Sequence, residues 1–79
     1  MRPEATYAVT SELVANVLSL AVAEGDEVDA GAEVALLESM KMEIPVLAEH
    51  PGTVVEVKVR PGDVVQDGEI LCVIRRSGA

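Results

Sequence analysis

The chain carries an internal repeat. The stretch from Val17 to Gly31 and the stretch from Val54 to Gly68 align without a gap, with Gly25 on Gly62, Asp26 on Asp63, Val28 on Val65 and Gly31 on Gly68. Each copy then continues into a second apolar run, Val34-Ala35-Leu36-Leu37 in the first and Leu71-Cys72-Val73-Ile74 in the second. A solenoid needs at least three repeats to bury a continuous core. Two copies instead imply one domain with pseudo-twofold symmetry, each half a four-strand unit.

The local pattern within each copy is that of strands. Val55, Val57 and Val59 alternate with Glu56 and Lys58, and Leu18, Leu20 and Val22 alternate with Ser19 and Ala21 at the matching positions. This is the period of a half-buried strand. Turn residues punctuate the runs. In Arg60-Pro61-Gly62-Asp63 the proline presets the second position and glycine supplies a positive φ at the third; Ala23-Glu24-Gly25-Asp26 is its counterpart without the proline. Asp29-Ala30-Gly31 and Gln66-Asp67-Gly68 form the second turn of each copy. Strands are expected near residues 5–9, 14–22, 27–29, 34–39, 42–47, 53–59, 64–66 and 70–75. Gly or Pro interrupts every long segment, so no helix is expected. Short strands with turns at this spacing predict an all-β sandwich, or flattened barrel, of two four-stranded antiparallel sheets. Asp26 and Asp63 are expected to accept hydrogen bonds from turn amides.

The repeat also marks what is not repeated. Copy one ends near Glu38 and copy two starts near Gly52, and Ser39-Met40-Lys41-Met42-Glu43-Ile44-Pro45-Val46 connects them. Its flanks look like strands, which makes Met40-Lys41 a hairpin tip. Such tips ordinarily use Gly, Asn or Asp. Here a lysine stands between two methionines.

Composition narrows the class of function. The 79 residues suffice for one small domain with little core to spare for a deep pocket. Hydrophobic residues make up 49 %, yet there is no Phe or Trp and a single aromatic, Tyr7. Valine therefore dominates the packing, and its branched Cβ suits a pleated sheet. Six Lys and Arg against fourteen Asp and Glu give a formal charge of −8, which repels a phosphate backbone and an anionic membrane surface. The same charge favours solubility and would speed encounter with a basic partner surface. Cys72 and His50 are each the sole residue of their type, so no disulfide, zinc cluster or nucleophile–base pair is expected; Cys72 reads as a buried apolar thiol. The start, Met1-Arg2-Pro3-Glu4, lacks the regions of a signal peptide and no apolar run reaches the length of a membrane span, so the cytoplasm is the expected compartment.

Glu38-Ser39-Met40-Lys41-Met42 resembles the Met-Lys-Met signature of biotinyl domains, and the similarity extends over about residues 9–76. The Glu24-Gly25-Asp26 turn, the Gly31 turn, Pro51-Gly52-Thr53 ahead of the second copy and the Gly62-Asp63 turn all match the layout of the biotinyl/lipoyl attachment family. The match is nearest to short stand-alone biotinylated proteins and to the biotin carboxyl carrier domain of biotin-dependent carboxylases. It implies a single domain over residues 1–79 with the hammerhead-type flattened barrel, Lys41 at one end and the termini at the other. It also implies that Lys41 is joined covalently to biotin by biotin protein ligase, with Met40 and Met42 as flanking recognition residues. Biotin carboxylase and carboxyltransferase subunits would be the further partners, and the carrier would be a monomer on its own and not itself an enzyme. The chemistry agrees with this. Lysine amines are protonated at neutral pH, so acylation requires a ligase and an activated acid. A long stem on a rigid tip extends the reach of the group, and methionines offer adaptable apolar contact. The cofactor supplies the reactivity and the protein its position.

Two positions and one segment depart from the family pattern. Ser39 stands where alanine is common, Ala15 stands where glycine is usual while Gly52 keeps it, and Ser11-Glu12-Leu13-Val14 lacks the usual prolines. Core packing is the competing role for Met40 and Met42, since one side of a hairpin faces its sheet. A lipoyl domain would share the fold and the tip lysine but usually shows Asp-Lys-Ala there. An unmodified interaction module of the same fold is the other alternative.

Overall fold

The computed structural model describes residues 5–77, all of them strands, turns and connections. In chain order the strands are β1 (Thr6–Thr10), β2 (Ala15–Leu20), β3 (Glu27–Val28), β4 (Glu33–Ser39), β5 (Met42–Leu47), β6 (Gly52–Val57), β7 (Val64–Val65) and β8 (Ile70–Arg76). They form two four-stranded antiparallel sheets ordered β1-β8-β6-β3 and β5-β4-β2-β7. The eight expected strands are all present, and β2 and β6 end earlier than their alternation suggested.

The repeat is a symmetry of backbone bonds. A shift of 37 positions carries Ala15–Leu20 onto Gly52–Val57, Glu27–Val28 onto Val64–Val65 and Glu33–Ser39 onto Ile70–Arg76. The halves interlock reciprocally. Val17 donates its N–H to the Asp63 carbonyl and Val54 to the Asp26 carbonyl, both at 2.8 Å. Gly25 donates to Val54 and Gly62 to Val17, again both at 2.8 Å. Each half thus closes the turn of the other, and neither completes its backbone pairing alone. Asp26 and Asp63 do what was expected of them, each taking a 2.9 Å bond on Oδ2 from the amide three residues back, Ala23 and Arg60. Gly25 and Gly62 sit at φ 94° and 96°, the left-handed region that a side chain resists.

The core is built from matched pairs. Val17 and Val54, Val28 and Val65, Val34 and Leu71, and Leu37 and Ile74 are all buried, as is Cys72. The simple alternation does not survive through β2 and β6. Register shifts fall between Val17 and Ser19 and between Val54 and Glu56, again 37 positions apart. Each bulge adds a residue and changes the face of the residues after it. Val17 and Val54 therefore point inward, Leu18 and Val55 point to solvent, and Val59 returns to the core. Expecting Val55 to share the face of Val57 and Val59, and Leu18 that of Leu20 and Val22, misplaced the first residue of each run.

The one aromatic residue, Tyr7, packs against the core and also ties two segments together. Tyr7 Oη donates to the His50 carbonyl at 2.7 Å and accepts the His50 N–H at 3.1 Å, with the two rings edge to face at 5.2 Å. This fastens β1 to the β5–β6 connection. The buried Ser11 hydroxyl donates to the Leu13 carbonyl at 2.6 Å and so shapes the β1–β2 connection.

Candidate functional site

The unrepeated segment is a β-hairpin. Strands β4 and β5 pair as Leu37 with Ile44, Glu38 with Glu43 and Ser39 with Met42, leaving Met40 and Lys41 as a two-residue loop. Both loop residues have positive φ, 52° at Met40 and 65° at Lys41. That is the type I′ signature, whose twist matches the twist of the flanking strands. Asn and Gly reach this conformation easily; Met and Lys reach it at a cost of about 1–2 kcal/mol each. Outside the glycines these are the positive-φ residues of the described chain. The strain is therefore concentrated on the candidate attachment residue and its neighbour.

Both methionines face solvent. Met40 is 92 % exposed and Met42 64 %, so core packing is not their role. Lys41 is exposed too, and no residue among those described gives it an ion pair or hydrogen bond. The amine is free to be acylated, and apolar side chains stand on either side of it. Glu38 and Glu43 lie directly opposite one another on adjacent strands at the hairpin's base. Such like-charge pairs cost the sheet a few tenths of a kcal/mol, and they continue the acidic character of the chain to the foot of the tip.

Ser39 and Ala15, two of the departures from the pattern, meet beside this hairpin. In the second copy, Gly52 pairs with Arg76 and the Ser77 N–H donates to the Pro51 carbonyl at 3.0 Å. A Cβ at Gly52 would meet the Arg75 carbonyl oxygen and come within 2.7 Å of Ile74 Cγ2. In the first copy the matching ladder starts one rung later, at Asn16 with Glu38. This leaves room for the buried Ala15. The Ser39 hydroxyl takes over the closing contact, donating to the Val14 carbonyl at 3.1 Å. Ser39 and Ala15 thus belong together: the strands part slightly, and a side chain bridges them just below the tip. The sequence named both residues as departures without linking them, because their relation appears only once β2 lies against β4.

Comparison with known proteins points the same way. A family model described as Biotin-requiring enzyme matches residues 4–74. The chain is 53 % identical over 66 residues to the biotinylated protein TB7.3 homolog of Mycobacterium leprae (strain TN), an alignment covering 84 % of this chain and 93 % of that protein. Among solved structures it is similar to a single-chain, multi-domain long-chain acyl-CoA carboxylase, with a TM-score of 0.88 and 33 % identity over 99 % of this chain and 8 % of that one. It is also similar to the lipoyl domain of the 2-oxoglutarate dehydrogenase complex from Azotobacter vinelandii, with a TM-score of 0.72 and 28 % identity over 82 % of each chain.

Proposed function

The chain belongs to the biotin/lipoyl attachment family, and from that premise we propose that it is a carrier of biotin joined through an amide to Lys41. The observation that carries this reading is the placement of Lys41, exposed and without a partner among the described residues, on a strained two-residue tip between two exposed methionines. The residues fit the group: a primary amine to bond it, clear of the fold, and apolar neighbours that tolerate an uncharged ring and chain.

Met40 and Met42 are the recognition residues for biotin protein ligase, and their adaptable side chains suit a surface that must dock on successive partners. Those partners are the biotin carboxylase and carboxyltransferase of a biotin-dependent carboxylase. When attached, biotin supplies the site that carries a carboxyl group; the chain supplies bonding, position and reach. Residues 9–76 act as one carrier domain, monomeric on its own and without catalysis of its own. No helix among the described residues is long and apolar enough to cross a membrane, and we place the carrier in the cytoplasm.

The test is intact-mass spectrometry of the protein made together with an active biotin ligase, followed by peptide mapping. A biotin-sized increment on Lys41, absent from Lys41→Arg, is the expected result. A lipoyl-sized increment from a lipoyl ligase alone would assign the chain to the lipoyl alternative. No increment from either ligase, with controls modified, would leave the unmodified interaction module.

A further inference from the structure

The two ends of the barrel close differently. At the end away from the tip, the Ser77 N–H donates to the Pro51 carbonyl at 3.0 Å, next to the rung that joins Gly52 to Arg76. The 37-residue shift that relates the copies carries Val14 onto Pro51 and Met40 onto Ser77. Met40 lies in the left-handed turn, and the Val14 carbonyl is met instead by the Ser39 hydroxyl at 3.1 Å. A side-chain donor thus replaces a backbone donor at the same acceptor. The acceptor is itself held in place. The neighbouring Leu13 carbonyl takes the buried Ser11 hydroxyl at 2.6 Å. The Ser11 backbone donates to Glu69 at 2.9 Å and accepts from Gly68 at 2.7 Å. These backbone bonds recur at the far end, where Ala48 donates to Ala32 and accepts from Gly31. The hydroxyls do not recur: Ala48 and Arg76 stand where the first copy has Ser11 and Ser39.

We propose that Ser39 is a positioning residue for the acylation of Lys41, a strap that fixes the pose of the tip for the ligase. The proposal rests on the biotin-carrier reading and adds a residue to it. Pairing between β2 and β4 reaches no further toward the tip than Asn16 and Glu38. Beyond that rung the hairpin consists of the Ser39–Met42 pair and its two-residue loop. Its base is the Glu38–Glu43 pair, two like charges that weaken the pairing there. The exposed side chains of Met40 and Met42 pack too little to hold the tip down. The Ser39 bond lies between this base and the lysine and joins the tip to the residue just ahead of β2. Lys41 follows Ser39 by two residues, so fixing Ser39 against Val14 fixes the direction in which the lysine leaves the barrel.

The effect falls on docking and not on the chemical step. A tip already held in one pose loses less conformational freedom when a partner binds it. Once docked, a strapped tip and an unstrapped one present the same amine. An interaction that counts equally in the bound and reacting states acts on KM and leaves kcat alone. The Ser39 bond is exposed and competes with water, which sets its effect on KM at about two- to fivefold.

The test measures steady-state biotinylation by a biotin protein ligase, with the full chain as the varied substrate and biotin and ATP saturating. Wild type, Ser39→Ala and Ser39→Thr are compared, with thermal melts checking that all three fold. Ser39→Ala should raise KM about two- to fivefold at unchanged kcat, and Ser39→Thr, which keeps the hydroxyl, should restore the wild-type KM. Amide nitrogen relaxation of the unmodified chains should show larger motion at Met40 and Lys41 in Ser39→Ala than in the other two. An unchanged KM in Ser39→Ala, a raised KM that Ser39→Thr fails to restore, or a lower kcat at constant KM would overturn the proposal and leave the Lys41 assignment standing. Equal motion at the tip in all three chains would overturn it as well. Absence of biotin on wild-type Lys41 despite an active ligase would remove the carrier reading and the proposal with it.

Discussion

Met40→Asn should make the protein more stable and a poorer ligase substrate. At φ 52° Met40 holds a conformation that costs a non-glycine residue about 1–2 kcal/mol, and asparagine adopts it with little penalty. Against this stands whatever packing the methionine provides. A fully buried Met contributes about 1.5–3 kcal/mol, but Met40 is 92 % exposed, so truncating it forfeits only about 0.2 kcal/mol. The balance is a gain of about 0.5–1.5 kcal/mol. In a domain of this size that raises Tm by about 3–10 °C. Met40→Gly should gain less, because glycine also enlarges the entropy of the unfolded chain by about 0.4–1 kcal/mol. Met42→Asn is the control: Met42 lies within β5 at ordinary strand φ, so the same change there brings no such relief. Urea and thermal unfolding of the three variants measure the balance, and biotin incorporation under limiting ligase measures the cost to recognition. Destabilisation by Met40→Asn of more than about 0.5 kcal/mol would refute the argument, since it would mean that the side chain is held by contacts rather than strained by the turn.

Gly52→Ala should destabilise by about 2–3 kcal/mol, since its Cβ collides with the Arg75 carbonyl and with Ile74, whereas Ala15→Gly at the matching position should cost about 1 kcal/mol; chemical denaturation compares the pair. Tyr7→Phe removes both bonds to the His50 backbone and should cost about 1–2 kcal/mol, read as a lower urea midpoint with an unchanged m-value. Burial pushes the Cys72 thiol above its ordinary range, so the folded state keeps it protonated where the unfolded state has begun to ionise. That contribution is complete below the unfolded value of about 8.5 and is lost as pH rises past it towards the folded value. Stability should therefore fall on the alkaline side, less so in Cys72→Ser, and native Cys72 should resist thiol reagents until denaturant is added.

Most of the fold was legible because its information is written twice. Any strand inferred in one copy could be checked 37 positions away, and Arg60-Pro61-Gly62-Asp63 supplied the turn that Ala23-Glu24-Gly25-Asp26 states more weakly. The faces of β2 and β6 were not legible at Leu18 and Val55, because a bulge depends on the partner strand and leaves no local composition signal. At the site, the unrepeated segment and its odd residues located the tip, and the paired residues Ser39 and Met42 explain why both loop residues must turn left-handed. The bond from Ser39 to Val14 was not legible, since it joins residues 25 apart whose proximity is set by sheet order.

The symmetry also serves as an internal control on function. Backbones related by the 37-residue shift make matching bonds at matching lengths, so side chains that differ between copies are not demanded by the fold itself. Buried differences are mild: Ala35 against Cys72, Leu37 against Ile74, Val34 against Leu71. Around the hairpin they are severe. Glu38 stands against Arg75, Ser39 against Arg76 and Met40 against Ser77, so equivalent positions exchange charge, size and polarity. The first copy also gives up a backbone rung at Ala15 and replaces it with the Ser39 bridge. The same framework thus carries two different surfaces, and the hairpin end is the one that bears the strained lysine.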